Sequence, residues 1–358
     1  MRTAQTGDTH NHTHDGNCCA PSRRNFLKTA AIVTGGALIP GALLAQAPAG
    51  STARRIDTHF HFYPPGVGDE LGSGIAKRWS KQIAMDEMDK NGIASAVLSI
   101  SSAPENWWRL DNDILRGKVR TLNDYAAQMV RDQPKRYGQF AFLSMADVDG
   151  TLKEIEYVFD TLKADGVGLP TSYGDKWPGD PMFRPVFEEL NRRKAVVYFH
   201  PNAPFCCAGS LVPDVAVSWI EYPHDSARAI LSLLFSGSFM RYSDIKFLFS
   251  HGGGTIPMLA GRIDWLSKGF KDIAKVAPNG VEAEFRKLHY DTASAFYPAS
   301  MAAILKTVPV SQLVYGSDYP YVTEAATAAG ITSAGLSAAD LKAIEVDNAL
   351  KLVPRLKA

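Results

Sequence analysis

Cysteine is scarce. The 358 residues hold four, as two adjacent pairs, Cys18-Cys19 and Cys206-Cys207. Adjacent cysteines cannot staple distant parts of a chain, so a disulfide framework is excluded. Cys206 and Cys207 are expected to be small packing residues in a loop. An excess of one charge is also missing. Lys plus Arg number 38 and Asp plus Glu 37, a formal +1, and no basic block survives beyond residue 49. Nucleic acid and anionic membrane surfaces are therefore not expected as partners. Internal repeats, low-complexity linkers and a second-domain boundary are lacking as well. The long apolar run is Ala30–Ala47, so no stable membrane insertion is expected of the chain that follows it.

That run belongs to a leader. Ser22-Arg23-Arg24-Asn25-Phe26-Leu27-Lys28 is a twin-arginine signature, and the Gly/Ala-rich apolar stretch comes next. Ala47-Pro48-Ala49 then offers small residues for cleavage before Gly50. Residues 1–49 thus read as a twin-arginine signal peptide. The reading makes the twin-arginine export machinery a partner and the periplasm or extracellular space the destination. The tract His10-Asn11-His12-Thr13-His14 has metal-binding composition but falls in the segment to be discarded. Residues 50–358 remain as one domain, with a formal charge near −1 once the leader is removed.

What this remainder does have is alternation. Short runs rich in β-branched and aromatic residues read as buried strands. They are Arg55–Phe62, Ala94–Ile100, Gln139–Ser144, Gly166–Leu169, Ala195–His200, Lys246–Ser250, Lys287–Asp291 and Gln312–Gly316. Between them lie helix-like stretches, including Asn112–Asp132, Leu152–Ala164, Phe183–Arg193, Ser226–Ser236, Thr255–Lys268 and Pro298–Thr307. Asp147 and Asp149 are cap candidates for the second. Eight strands each followed by a helix predict a (β/α)₈ TIM-like barrel. A doubly wound open sheet has the same local pattern, and five polar residues decide between the two.

Those five are His59, His61, His200, His251 and Asp318, each at or just past the end of a strand-like run. In a parallel barrel all carboxyl ends point at one mouth, so the five can meet there. An open sheet would usually hold the first and last strands apart. His59 and His61 stand at i and i+2, on one face of a strand. Pro201 ends the strand directly after His200, and Gly252-Gly253-Gly254 permits a tight turn after His251. Taken singly, each histidine could be a core residue and Asp318 a turn cap. Together, imidazoles and a carboxylate at one mouth suit Zn²⁺ or a similar divalent ion.

Longer motifs carry a resemblance. Ile56-Asp57-Thr58-His59-Phe60-His61, Met88-Asp89-Lys90-Asn91-Gly92-Ile93 and Ala229-Ile230-Leu231-Ser232-Leu233 are joined by Ser250-His251-Gly252-Gly253-Gly254 and Gly261-Arg262-Ile263-Asp264. Tyr290-Asp291-Thr292-Ala293 and Gly316-Ser317-Asp318-Tyr319-Pro320 complete the set. Across residues 54 to 355 the chain resembles the amidohydrolase superfamily. The branch is that of aminocarboxymuconate-semialdehyde decarboxylase and the non-oxidative aromatic-acid decarboxylases. The resemblance implies one divalent ion per chain, Zn²⁺ first and Mn²⁺ second, held by His59, His61, His200 and Asp318. It leaves His251 as an unligated acid/base and lets Asp318 also move a proton.

Arg262 matches an arginine that helps hold the substrate carboxylate, in some members across a subunit boundary, which implies a homodimer or higher homo-oligomer. Its alternative is a helix-surface arginine paired with Asp264. Binuclear members carry a bridging lysine or glutamate on the fourth strand, and Gly166-Val167-Gly168-Leu169-Pro170 has neither. One departure concerns substrate. The semialdehyde decarboxylase places an arginine in the loop after its first strand, and here residues 62–79 hold only Lys77 and Arg78, close to the expected helix. An aromatic or unsaturated carboxylic acid replaces that enzyme's dicarboxylate as the expected substrate, with Tyr63, Trp79, Trp107, Trp108, Phe205, Trp219 and Tyr319 as candidate walls. The expected activity is metal-dependent non-oxidative decarboxylation. The alternatives are metal-dependent hydrolysis of a lactone, amide or ester at the same site, and a barrel that binds without turnover.

Overall fold

The computed structural model describes residues 54–71, 74–207 and 215–357. The expected leader lies outside them. Eight parallel strands follow one another around a sheet: β1 (Arg55–His61), β2 (Ile93–Ser99), β3 (Tyr137–Phe142), β4 (Gly166–Pro170), β5 (Val196–His200), β6 (Lys246–Phe249), β7 (His289–Asp291) and β8 (Leu313–Val314). Each is followed by a helix. In order these are Lys81–Lys90, Asn112–Asp132, Val148–Glu156, Arg184–Arg192, Glu221–Phe235, Ile256–Ser267, Pro298–Thr307 and Glu324–Thr332. The sheet closes through backbone bonds between β1 and the segment after β8. Thr58 N donates to Tyr315 O at 2.9 Å, Asp318 N to His59 O at 3.0 Å and His61 N to Tyr319 O at 2.9 Å. The (β/α)₈ barrel expected from the sequence is the fold.

Strand composition explains the two cores. On β5, Val197 and Phe199 pack outward under the helices while Val196 and Tyr198 face the barrel axis, the two-residue alternation of a strand buried on both faces. The axis is filled by Ile56, Val97, Phe140, Tyr198, Leu248 and Val314 from six strands. Beneath them sit Ala349, Leu352, Val353 and Leu356 from the C-terminal segment, which plugs the barrel at the end remote from the mouth. Arg355 clamps this plug by pairing with Asp165 and donating to the carbonyls of Pro134 and Tyr137.

Several boundaries differ from expectation. Asp147 does cap its helix, accepting from Gly150 N at 3.1 Å, but that helix gives way to a wider turn over Tyr157–Thr161. β8 is two residues long, and beyond it the chain bonds to β1 through its backbone and to the Thr292 hydroxyl through Gly316. The helices Lys81–Lys90 and Glu324–Thr332, capped by Ser80 and Thr323, fall where a helix was expected after the first and last strands but without stated bounds. No helix of the described residues is long and apolar enough to cross a membrane.

Candidate metal centre

The strand ends bring the histidines and the aspartate together. Ligand atoms of His59, His200, His251 and Asp318 all lie within 4.8 Å of one another. His61 Nε2 stands 3.1 Å from both His59 Nε2 and Asp318 Oδ1. His59 and His61 are fully buried, while the side chains of His251 and Asp318 each keep 13 % of their surface open. Both of these last two sit in left-handed backbone, φ 54° at His251 and 70° at Asp318. Such conformations cost about 1–3 kcal/mol in non-glycine residues and gather where function requires them. After His251 the chain stays left-handed through Gly252, Gly253 and Gly254. A Cβ on Gly254 would overlap the Pro223 carbonyl, so this turn admits only glycine there.

Three of the four imidazoles are fixed from behind, and His251 Nδ1 is buried without a partner. His59 Nδ1 meets Asp291 Oδ2 at 2.8 Å, His61 Nδ1 meets Ser99 O at 3.3 Å, and His200 Nδ1 meets Pro201 O at 3.1 Å. With Nδ1–H committed to these acceptors, the Nε2 lone pairs of His59 and His61 face inward, the arrangement that metal-ligating histidines adopt. Asp291 was not singled out from the sequence. It also accepts from His251 N at 2.8 Å and Ala293 N at 3.0 Å, so one carboxylate orders two histidines.

Electrostatics show how strongly the site draws positive charge. Burial pulls His59 down, yet the charges of Asp291 and Asp318 overcome this and raise it to about 10, so a metal would have to displace a proton from this ring. Burial lowers His61 and, more strongly, His200, keeping both neutral and able to donate a lone pair. Burial pushes Asp318 up, but the charge of His59 and hydrogen bonds from His251, His59 and His61 hold it well below the usual carboxylate range. Asp291 and Asp318 bring two carboxylates against one imidazolium and the neutral His61 and His200, so positive charge beyond that of His59 is called for, and a divalent ion fits the donor set. A further carboxyl pair lies behind the site. Asp57 accepts from the backbone of His59 and Ser317 at 2.8 and 3.1 Å. Burial pushes both Asp57 and Glu324 upward, Glu324 the more.

A cavity of about 900 Å³ opens over this centre. His200, His251 and Asp318 line it, with Ser101, Tyr222, Met258, Ile304 and Tyr321 among the wall residues and no lysine or arginine among those described. Ser102 ties Tyr222 in place at 2.8 Å, and Tyr63 ties Tyr321 at 2.9 Å. Of the expected aromatic walls, Trp219 lines this cavity, whereas Trp108 and Phe205 line a smaller one beside it. Trp107 is wholly buried and Tyr319 stacks on Phe60. Arg262 is exposed on the helix Ile256–Ser267 and is not part of the cavity wall of its own chain. Asp264, offered as its ion-pair partner, pairs with Lys268 at 3.6 Å.

Residues 56–355 match the amidohydrolase family model. The chain belongs to the amidohydrolase family. Among curated amidohydrolase relatives, the decarboxylase yanB of Aspergillus niger is 31% identical over 328 residues, covering 85% of this chain and 88% of that one. The 6-methylsalicylic acid decarboxylase of Penicillium expansum is 32% identical over 282 residues, covering 74% and 85%. The same barrel recurs in 5-carboxyvanillate decarboxylase of Novosphingobium aromaticivorans, solved with manganese and 4-hydroxy-3-methoxy-5-nitrobenzoic acid. That structure superposes with a TM-score of 0.72 at 18% identity, over 88% of this chain and 97% of that one. For this amidohydrolase the likeness to the solved enzyme establishes the barrel, and the site rests on its own geometry.

Proposed function

We propose that the protein is a metal-dependent non-oxidative decarboxylase of an aromatic monocarboxylic acid, of the substituted hydroxybenzoic class to which 6-methylsalicylic acid, named for the Penicillium relative, belongs. The observation that carries the substrate class is the cavity wall. It has room for a substituted ring, it is apolar with scattered hydroxyls, and among the described residues it offers no side-chain cation for a second carboxylate. His59, His61, His200 and Asp318 would hold one divalent ion, zinc or manganese. Manganese gains support from the vanillate-type enzyme solved with it. When bound, the ion supplies a Lewis acid for the substrate carboxylate and its neighbouring oxygen.

The remaining work falls to the chain. His251 Nε2 lies 3.4 Å from Asp318 Oδ2 at the cavity floor, so a proton can pass between them. Asp318, held ionised, takes a proton and delivers it to the ring carbon that bears the carboxylate. A C–H bond forms there, the C–C bond breaks, CO₂ leaves, and the electron pair released restores the aromatic ring. Tyr222 and Tyr321 orient the ring substituents. Arg262 would act only from a neighbouring copy, which makes the active species at least a dimer. The leader Ser22–Lys28 supports export by the twin-arginine route, and its test is whether Arg23→Lys with Arg24→Lys retains the protein in the cytoplasm.

The deciding assay measures CO₂ release from a panel of hydroxybenzoic acids and ring opening from a panel of lactones. CO₂ from the acids is the expected result, and ring-opened product without CO₂ would move the assignment to the hydrolase. His251→Ala should keep its metal by elemental analysis while kcat falls about 10²-fold or more. Loss of metal in that variant would make His251 a ligand.

A further inference from the structure

Cys206 and Cys207 depart from expectation. They occupy a short helical turn, Phe205–Cys207, in the segment that follows β5. Neither is buried: Cys206 is exposed and Cys207 half-buried. They are therefore not packing residues. Their sulfurs lie 2.9 Å apart in a thiol–thiol hydrogen bond, and the Arg228 guanidinium reaches Cys207 Sγ at 3.9 Å. Among the described residues no further histidine, cysteine or carboxylate joins them in a metal-ligating group, and none of these residues supplies the third and fourth donors of a structural zinc site.

We propose that Cys206 and Cys207 form a thiol–disulfide exchange site, with Cys206 attacking and Cys207 resolving. Cys206 has the solvent access that attack on an external disulfide needs. The hydrogen bond in turn holds the Cys207 proton, which raises that thiol. The oxidant is a low-molecular-weight disulfide such as oxidised glutathione. The Cys206 thiolate attacks one of its sulfurs, forming a mixed disulfide and releasing one glutathione thiolate. Cys207, with Arg228 beside its sulfur, then attacks Cys206 Sγ. The Cys206–Cys207 bond forms and the second glutathione thiolate leaves. Two electrons pass from the pair to the oxidant, and the two cysteine protons end on the released thiols. A bond between neighbours is strained and hence readily reduced again, so the product is reversible. Phe205, next in the turn, lines the side cavity that shares Ser102, Val217 and Tyr222 with the main one, so closure acts next to the substrate site.

The test incubates the folded, metal-loaded protein with oxidised glutathione and maps the peptides by mass spectrometry, which separates this pair from Cys18 and Cys19. The expected product is a Cys206–Cys207 bond, two hydrogens lighter, reversed by dithiothreitol. Cys207→Ser should trap glutathione on Cys206, and Cys206→Ser should react about tenfold more slowly. A wild-type pair that stays alkylatable, a mixed disulfide that never resolves, or variants with equal rates would each overturn the assignment.

Discussion

His59 is gripped from both sides, by Asp291 at Nδ1 and by Asp318 at Nε2. The outer carboxylate sets the ring's tautomer and orientation, which makes it nearly as consequential as a ligand. Asp291→Asn is expected to weaken metal affinity by about 10–100-fold, read by competition with a fluorescent chelator, while the fold persists by circular dichroism. An unchanged affinity would reduce Asp291 to a brace for the His251 backbone. The cluster of four histidines and Asp318 was legible in the sequence because strand-end position and i, i+2 spacing have a direct geometric meaning. Asp291 was not legible, since a carboxylate at a strand end looks the same whether it binds metal or supports a residue that does. The hydroxyl ties of Tyr222 and Tyr321 depend on loops from distant strands, and no local pattern announces them.

At the scale of elements, strands were the readable part. Their runs are apolar on both faces, and short β-rich runs bounded by turns have few other interpretations. The helix boundaries Asn112–Asp132 and Pro298–Thr307 came out as expected, the first behind an Asp111 cap and the second opening on proline. The bounds of Lys81–Lys90 were not legible because it buries only Ala84 and Met88, too few apolar positions to show a period.

One strand carries a pH liability. His289 opens β7, its Nδ1 is buried without a partner, and burial together with the Lys246 charge lowers it from 6.5 to about 4. The unfolded chain therefore binds a proton here that the folded chain refuses. The neutral ring's contribution is complete above pH 6.5 and is lost as pH falls toward 4, by about 3 kcal/mol at the limit. Urea melts of His289→Gln against the parent should show a difference that shrinks as pH falls across this window. A difference independent of pH would mean that folding leaves the proton affinity of His289 unchanged.

The whole molecule is built with chemistry at one end and closure at the other. Removing residues 349–358 would uncover Ile56, Val97, Phe140, Leu248 and Val314, which the plug shields, and the truncated chain is expected to lose cooperative unfolding. Leu352→Ala is the gentler probe, with an expected cost of about 2–5 kcal/mol by denaturant titration and little change in KM for the acid substrate. A truncated chain that melts like the parent would show the plug to be ornamental. The sequence did not disclose it. Apolar residues at 349, 352, 353 and 356 mark one face of a helical segment, and nothing in them says which opening that face covers.

The ring is closed by the amides of Thr58, His61 and Asp318, two of which belong to proposed ligands and the third to their neighbour. Loading the site and sewing the first strand to the last are then one event seen from two directions. Amide hydrogen exchange would register it. Treating the loaded protein with a chelator should speed exchange at these three positions well before the Tyr198–Leu248 pairing on the opposite wall begins to yield. The barrel would thus open along the line where its chemistry is anchored, and ion occupancy would set its lifetime against proteolysis.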